Sequence, residues 1–130
     1  MAKEDDIVVS TVDAERIGQV LEDHLRGNGP ESTAAEELRE RMAAARVVEE
    51  SELPQDRAAI GRTVSYEEPA AGTRRAITLA VPEHANPAAG LVSVLSPVGS
   101  ALVGRRTGDR VEAQLPDGRS LELKIASIGR

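Results

Sequence analysis

Cys and His, the residue types that most often bind zinc, are absent or rare in this 130-residue sequence. There is no Cys, which excludes a disulfide, a thiol nucleophile and a Cys-based zinc site. The two histidines, His24 and His84, have no third histidine near them in the sequence to complete a His-based zinc site. Ser10, Ser51 and Ser93 lack the G-x-S-x-G context of an activated nucleophile. The residue types therefore argue against nucleophilic and zinc-dependent catalysis.

The composition places the chain among soluble globular proteins. Its mass of 13.8 kDa allows one ordinary domain or a small domain with an appendage. Tyr66 is the single aromatic residue, which nearly excludes a stacking platform for single-stranded nucleic acid. No apolar run is long enough to cross a membrane, and the acidic start has no features of a signal peptide. We expect a cytoplasmic protein without membrane contact and without a cofactor.

Charge divides the chain into two parts. Residues 1–60 contain 7 Lys+Arg and 15 Asp+Glu, for a net charge of −8. Residues 61–130 contain 9 Lys+Arg and 7 Asp+Glu, for a net charge of +2. This asymmetry suggests two modules with different surroundings, although acidic surface helices are also common for solubility alone. Bare nucleic acid repels the acidic part, so we expect no direct sequence-specific contact with nucleic acid.

The first module is predicted to be a short antiparallel helical hairpin of coiled-coil type, over residues 1–57. Ser10 with Asp13 resembles a capping box at the start of a helix, and Gly27–Pro30 is typical of a turn. Apolar residues and one histidine then recur at helical spacing, at Ile17, Val20, Leu21, His24 and Leu25, and again at Leu38, Met42, Ala45 and Val48. Leu53-Pro54 is the predicted end of the second helix.

The second module, residues 58–130, is predicted to be a small antiparallel sheet with one short helix, so the chain is α+β. Alternating or apolar runs predict about five short strands, at Thr63–Tyr66, Ile77–Val81, Leu91–Leu95, Val111–Leu115 and Leu121–Ile125. Pro116–Gly118 is a strong turn signal. Ser96, Pro97 and Gly104 stand where a helix of one to two turns takes its cap, its first residue and its stop.

The stretch Val92–Val111 and the turn at Leu115–Gly118 resemble the carboxy-terminal domain of the Gre transcription elongation factors. Val12–Ile17 and Glu36–Leu38 are similar to the regulator of nucleoside diphosphate kinase family, Gre relatives with a short amino-terminal hairpin. The resemblance implies an FKBP-like fold for the second module. It also implies docking on RNA polymerase, at the rim of the secondary channel.

The resemblance implies candidate residues for docking. Ser96, Pro97, Val98 and Gly99 match the family element that faces the polymerase rim, and Gly99 leaves room for another backbone. Leu102 also matches that element, but core packing is the better interpretation of its side chain. Arg105 and Arg106 are interpreted either as a basic pair for an acidic partner surface or as two solvated arginines.

Cleavage-competent Gre factors carry a D-L-x-E-N-like acidic motif at the hairpin tip, where it helps to hold magnesium. This sequence lacks that motif, and only Asp23 and Glu31 lie near the predicted tip. We therefore expect no metal site, no catalytic residue and no transcript cleavage. The predicted function is a monomeric, non-catalytic regulator that binds RNA polymerase and competes with Gre-type factors. The alternatives are a cleavage-stimulating factor, or an adaptor that binds another protein through Ala34, Ala35, Ala43 and Ala44.

Overall fold

The computed structural model describes residues 7–26, 33–115 and 117–129. The described helices are Thr11–Arg26 (α1), Thr33–Ala44 (α2) and Pro97–Leu102 (α3). The described strands are Val8–Ser10 (β1), Arg46–Val48 (β2), Thr63–Glu68 (β3), Thr73–Ala80 (β4), Leu91–Ser93 (β5), Arg110–Gln114 (β6) and Ser120–Gly129 (β7). One-turn 3₁₀ helices occupy Glu50–Glu52, Pro82–His84 and Pro87–Ala89. This content confirms the α+β class.

One of the two hydrogen bonds of the predicted capping box is present at the start of α1. Ser10 Oγ accepts a hydrogen bond of 3.1 Å from the backbone N–H of Asp13, as a helix cap requires. The Asp13 carboxylate does not return a bond to Ser10. It accepts instead from the backbone N–H of Ile60 at 3.0 Å, and so joins the start of α1 to the segment before β3.

The second helix ends earlier than predicted. It stops at Ala44, and the next residues form β2, which pairs in parallel with β1. The expected helical stripe through Ala45 and Val48 is therefore wrong, as is the helix end at Leu53-Pro54. The physical reason is the Val47-Val48 pair: β-branched side chains lose rotamer freedom in a helix and fit a strand, and Arg46 N–H finds the carbonyl of Ile7 at 2.8 Å.

The main sheet has five described strands in the order β5-β4-β3-β7-β6. Its neighbours are antiparallel except for β4 and β5, which run parallel. The prediction of a purely antiparallel sheet is wrong at this edge. The connection over residues 81–90 contains two one-turn 3₁₀ helices, and it returns the chain so that β5 runs in the same direction as β4.

The helices and the sheet share one hydrophobic core. Ile17 and Leu21 of α1 and Leu38 of α2 belong to the same buried cluster as residues of the main sheet. Tyr66 also lies in this cluster, and its burial raises the pKa of the phenol above its ordinary value. The acidic helical segment therefore packs on the sheet module through its apolar stripes, as the shortness of the predicted helices required.

The remaining predictions for the helical segment divide into described and undescribed parts. The turn at 27–30 lies outside the described residues. Among the alanines of the adaptor hypothesis, Ala35 is buried in the core, whereas Ala43 and Ala44 are exposed. These three therefore do not form one continuous exposed face. None of the helices in the described ranges has the length and apolar character that crossing a membrane requires.

Candidate functional site

The amino-terminal end of α3 is held by a compact set of hydrogen bonds. Ser96 Oγ accepts from the backbone N–H of Gly99 at 3.0 Å and donates to the carbonyl of Ser93 at 2.8 Å. Ser93 Oγ in turn accepts from the backbone N–H of Leu95 at 2.9 Å. Pro97 is the first helical residue, where its fixed φ is compatible with the helix. The predicted cap is confirmed, and hydrogen bonds within the chain hold this end of α3.

Burial changes along α3 from half-buried to buried. Ser96, Pro97 and Val98 are half-buried, whereas Gly99 and the rest of the helix to Leu102 are buried. Val98 also packs against the core, so Ser96 and Pro97 are the two candidates that contribute little to it. The core interpretation of Leu102 is confirmed. Whether Ser96 and Pro97 contact a partner stays a prediction.

Gly99 is explained by a contact inside the chain. A Cβ at this position would overlap the carbonyl group of Ser93, which lies against the helix backbone. The close approach that glycine allows is therefore made by this chain's own β5. It fixes the distance between β5 and α3, and with it the position of Pro97.

Gly104, just past α3, lies where the residues at the start of β1 cross the chain. Its φ of +80° is in the left-handed region, and a Cβ here would overlap the side chain of Ile7. Its backbone N–H donates to the carbonyl of Ala58 at 2.8 Å, and its carbonyl accepts from the N–H of Val8 at 3.1 Å. Glycine is thus required both by conformation and by the strand β1 that crosses it.

The two arginines after α3 do not form an exposed pair. Arg105 is 7% exposed, whereas Arg106 is exposed and its backbone N–H donates to Asp109 Oδ2 at 3.0 Å. The expectation that both are solvated is wrong for Arg105. Its backbone carbonyl accepts from Ala58 N–H, and this pairing with the segment before β3 holds the residue inside. Of the pair, Arg106 is the one that a partner surface can reach.

The sequence did not single out one residue that contacts α3. Arg41 of α2 donates from Nη1 to the carbonyl of Ser100 at 2.8 Å and lies 3.3 Å from Ser100 Oγ. It therefore connects the acidic helical segment to the helix that carries Ser96 and Pro97. The only sequence signal was a basic residue within the second predicted helix, which is usually interpreted as a surface charge.

The predicted tip acids are not brought together in the described part of the chain. Asp23 lies on α1, where it lines a groove against Pro82 and Glu83. Glu31 lies outside the described residues. Within the described ranges no three side chains of His, Asp or Glu are grouped closely enough to hold a metal ion.

The fold and the capped helix define a class of protein. The sequence model of the family described as "Transcription elongation factor, GreA/GreB, C-term" matches residues 53–130, a range that includes β3 to β7 and all of α3. This is more than half of the chain. The chain belongs to the GreA/GreB transcription elongation factor family.

Two curated relatives refine this placement. The chain is 39% identical over 82 residues to transcription elongation factor GreA of Desulfovibrio desulfuricans, and the match covers 63% of this chain and 51% of GreA. It thus spans about half the length of that relative. It is also 30% identical over 122 residues to the regulator of nucleoside diphosphate kinase of Escherichia coli K12, a match that covers 94% of this chain and 88% of the regulator.

A solved structure supports the same placement. The prokaryotic transcription elongation factor GreA/GreB from Nitrosomonas europaea superposes with a TM-score of 0.74 at 29% sequence identity. The match covers 96% of this chain and 98% of that chain. The helical segment is therefore included in the likeness as well as the sheet. The resemblance predicted from Val92–Val111 and from the start of the chain is confirmed.

Proposed function

We propose that this chain is a non-catalytic transcription regulator that binds RNA polymerase near the secondary channel and competes there with Gre-type factors. Residues 58–130, as an FKBP-like module, carry the docking surface. Residues 1–57, as an acidic helical hairpin, lie at the mouth of the channel. The family membership supports a role in transcription.

The observation that carries this proposal is the difference in burial between the two ends of α3. Its buried part is fixed by the core and by Arg41, and its amino-terminal end presents Ser96 and Pro97 on a rigid cap. A rigid apolar residue on a preorganised element contributes to binding without losing conformational entropy when it binds. Arg106, which follows the other end of α3, is exposed and offers a positive charge to a partner.

The regulator acts as a monomer in the cytoplasm, without a metal or another cofactor. A magnesium site needs several carboxylates that converge on the ion, and the sequence near the predicted tip offers only Asp23 and Glu31. Asp23 lines a groove together with Glu83, which is a poor position for an acid that would reach into a distant active centre. The chain therefore occupies the polymerase without stimulating transcript cleavage.

The test is binding of the full chain to bacterial core RNA polymerase by biolayer interferometry, with Pro97→Asp as the docking variant. Asp is well tolerated in the first turn of a helix, so we expect the variant to fold. Pro87→Asp is the matched control, because Pro87 also begins a one-turn helix and is exposed. GreA of Desulfovibrio desulfuricans is the competitor.

We expect saturable binding that Pro97→Asp weakens by at least about tenfold, that Pro87→Asp leaves unchanged, and that GreA displaces. Binding that GreA does not displace would contradict the shared site. Absence of binding at tens of micromolar would contradict the polymerase partner altogether. Equal losses in the two proline variants would contradict docking through α3.

A further inference from the structure

A groove runs along one side of α1, between that helix and the chain that follows β4. Its floor is apolar and includes Val20, Leu79 and Leu91, and its volume is about 720 Å³. A smaller cavity of about 240 Å³ adjoins it and extends to Leu95. Together they form a trough beside the helix that is large enough for several side chains of a ligand.

Two acidic residues and one arginine line the rim of this trough. Asp23 and Glu83 line both cavities, and Arg16 lines the larger one two turns earlier on α1. Within the described residues, Asp23 accepts a bond from Gln19 at 3.3 Å, and neither Asp23 nor Glu83 has an ion-pair partner. Two carboxylates beside an apolar floor complement a cation that is attached to apolar groups.

A third polar residue, His24, lies at the smaller cavity. Its Nε2 is buried and has no hydrogen-bond partner in the described part of the chain. Buried polar atoms are normally paired, so an orphaned nitrogen beside a cavity needs an explanation. The polar edge of the imidazole is therefore left without a partner among the described residues at this end of the trough.

The backbone around the trough excludes one mode of binding. The N–H groups of Thr78 and Leu79 already donate to the carbonyls of Gly90 and Arg62, at 2.8 and 3.2 Å. The carbonyl of Ala80 accepts from Val94 N–H at 2.9 Å. A partner strand could not form backbone hydrogen bonds with these groups, because they are already paired. The ligand is therefore recognised through its side chains.

We propose that this trough binds a basic amphipathic helix of a partner protein. One Lys or Arg of that helix lies between Asp23 and Glu83, and its apolar side chains pack on Val20 and Leu91. The trough follows α1 for about 12 Å, or two helical turns, which fits side chains at positions i, i+4 and i+7 of a partner. The inference does not depend on binding to polymerase.

The test is a titration of the ¹⁵N-labelled full chain, followed by amide chemical shifts. The probe is a synthetic helical peptide of about 14 residues that carries Lys and Leu on one face. The same peptide with Glu in place of Lys is the first control. We expect saturable shifts that cluster at Val20, Asp23, Glu83 and Leu91 with the lysine peptide, and none with the glutamate peptide.

The charge-reversed variant Asp23→Lys/Glu83→Lys is expected to weaken peptide binding by at least about tenfold. Glu15→Lys/Glu112→Lys makes the same change in net charge at exposed acids outside the trough, and we expect a loss below about threefold at physiological salt. Equal losses in the two variants, or shifts scattered over the acidic surface, would overturn the proposal as general charge attraction. Absence of shifts at millimolar peptide would overturn it as well.

Discussion

Nη1 of Arg41 in α2 donates a hydrogen bond of 2.8 Å to the backbone carbonyl of Ser100 in α3. Nη2 of the same side chain lies 3.5 Å from Glu37 Oε1, which orients the guanidinium. The carbonyl of Ser100 is in the last turn of α3, where the helix itself supplies no partner, and Gly104 N–H is used by Ala58. Arg41 therefore caps α3 from a separate helix.

Arg41→Met is expected to destabilise the fold by about 1–2 kcal/mol, because it leaves the Ser100 carbonyl without this charged donor. The free energy of unfolding in urea measures the loss. Arg39→Met is the matched control on the exposed side of α2, where we expect a change within about 0.5 kcal/mol. Equal effects of the two substitutions would show that Arg41 acts only as a surface charge.

Gly99 and Gly18 predict opposite results for the same substitution. Gly99→Ala places a Cβ into the carbonyl of Ser93, so we expect a loss of about 2–4 kcal/mol in the free energy of unfolding. Gly18 lies within α1 with open space around it, so Gly18→Ala should stabilise by about 0.5–1 kcal/mol through helix propensity. Thermal denaturation of both variants checks the signs. A stable Gly99→Ala protein would contradict the close approach of β5 to α3.

Asp13 is a buried carboxylate that is 6% exposed and accepts from Ile60 N–H at 3.0 Å. Burial raises its pKa above the ordinary value of 3.8, and the bond from Ile60 and the charge of Arg16 offset part of this rise. Because the pKa is raised in the folded state, folding favours the protonated carboxyl. At pH values above both the raised pKa and the ordinary value of 3.8, the ionised carboxylate therefore lowers the stability of the fold. This loss of stability vanishes below pH 3.8.

Asp13→Asn keeps an oxygen that accepts from Ile60 and removes the buried charge. We expect this variant to be more stable than the unsubstituted chain at pH 7, with an advantage that shrinks as the pH falls through the raised pKa toward 3.8. Denaturation at a series of pH values measures it. A constant difference across that range would contradict the assignment.

Asp117 is the control for Asp13, because its pKa is shifted in the opposite direction. The backbone and side-chain donors of Arg119 hold the pKa of this exposed carboxyl below its ordinary value. Folding therefore favours the ionised form, so Asp117→Asn should lose stability at pH 7. This loss should fade as the pH falls through the lowered pKa.

Local sequence signals predicted the elements that depend on local chemistry. Ser96 and Pro97 specify the start of α3 through a cap and a fixed φ, and both act within one turn of the chain. The strands around Val64 and Leu123 follow simple alternation, and the structure buries both residues. The family resemblance at 92–111 also depended on consecutive residues, so the sequence alone was enough to predict it.

The missed features depend on residues that are distant in sequence. Val48 continues a helical spacing, and the pairing with β1, which the sequence pattern does not show, makes this segment a strand. Alternation is the same in parallel and antiparallel strands, so it could not give the direction of β5. Asp23 and Glu83 line one trough, and Arg41 bonds to Ser100, although each pair is about 60 positions apart in the sequence. Periodicity reports only local structure, so it could not predict either contact.

The central claim, docking on RNA polymerase through the amino-terminal end of α3, is tested most directly by site-specific photocrosslinking. A benzophenone amino acid placed at position 97 or, as the control, at position 87 is irradiated in the presence of bacterial core polymerase, and the crosslinked peptides are mapped by mass spectrometry. The account predicts crosslinks from position 97 to the rim of the secondary channel and none from position 87. Crosslinks from position 87 alone, crosslinks to a distant part of the polymerase, or no crosslink from either position would contradict it.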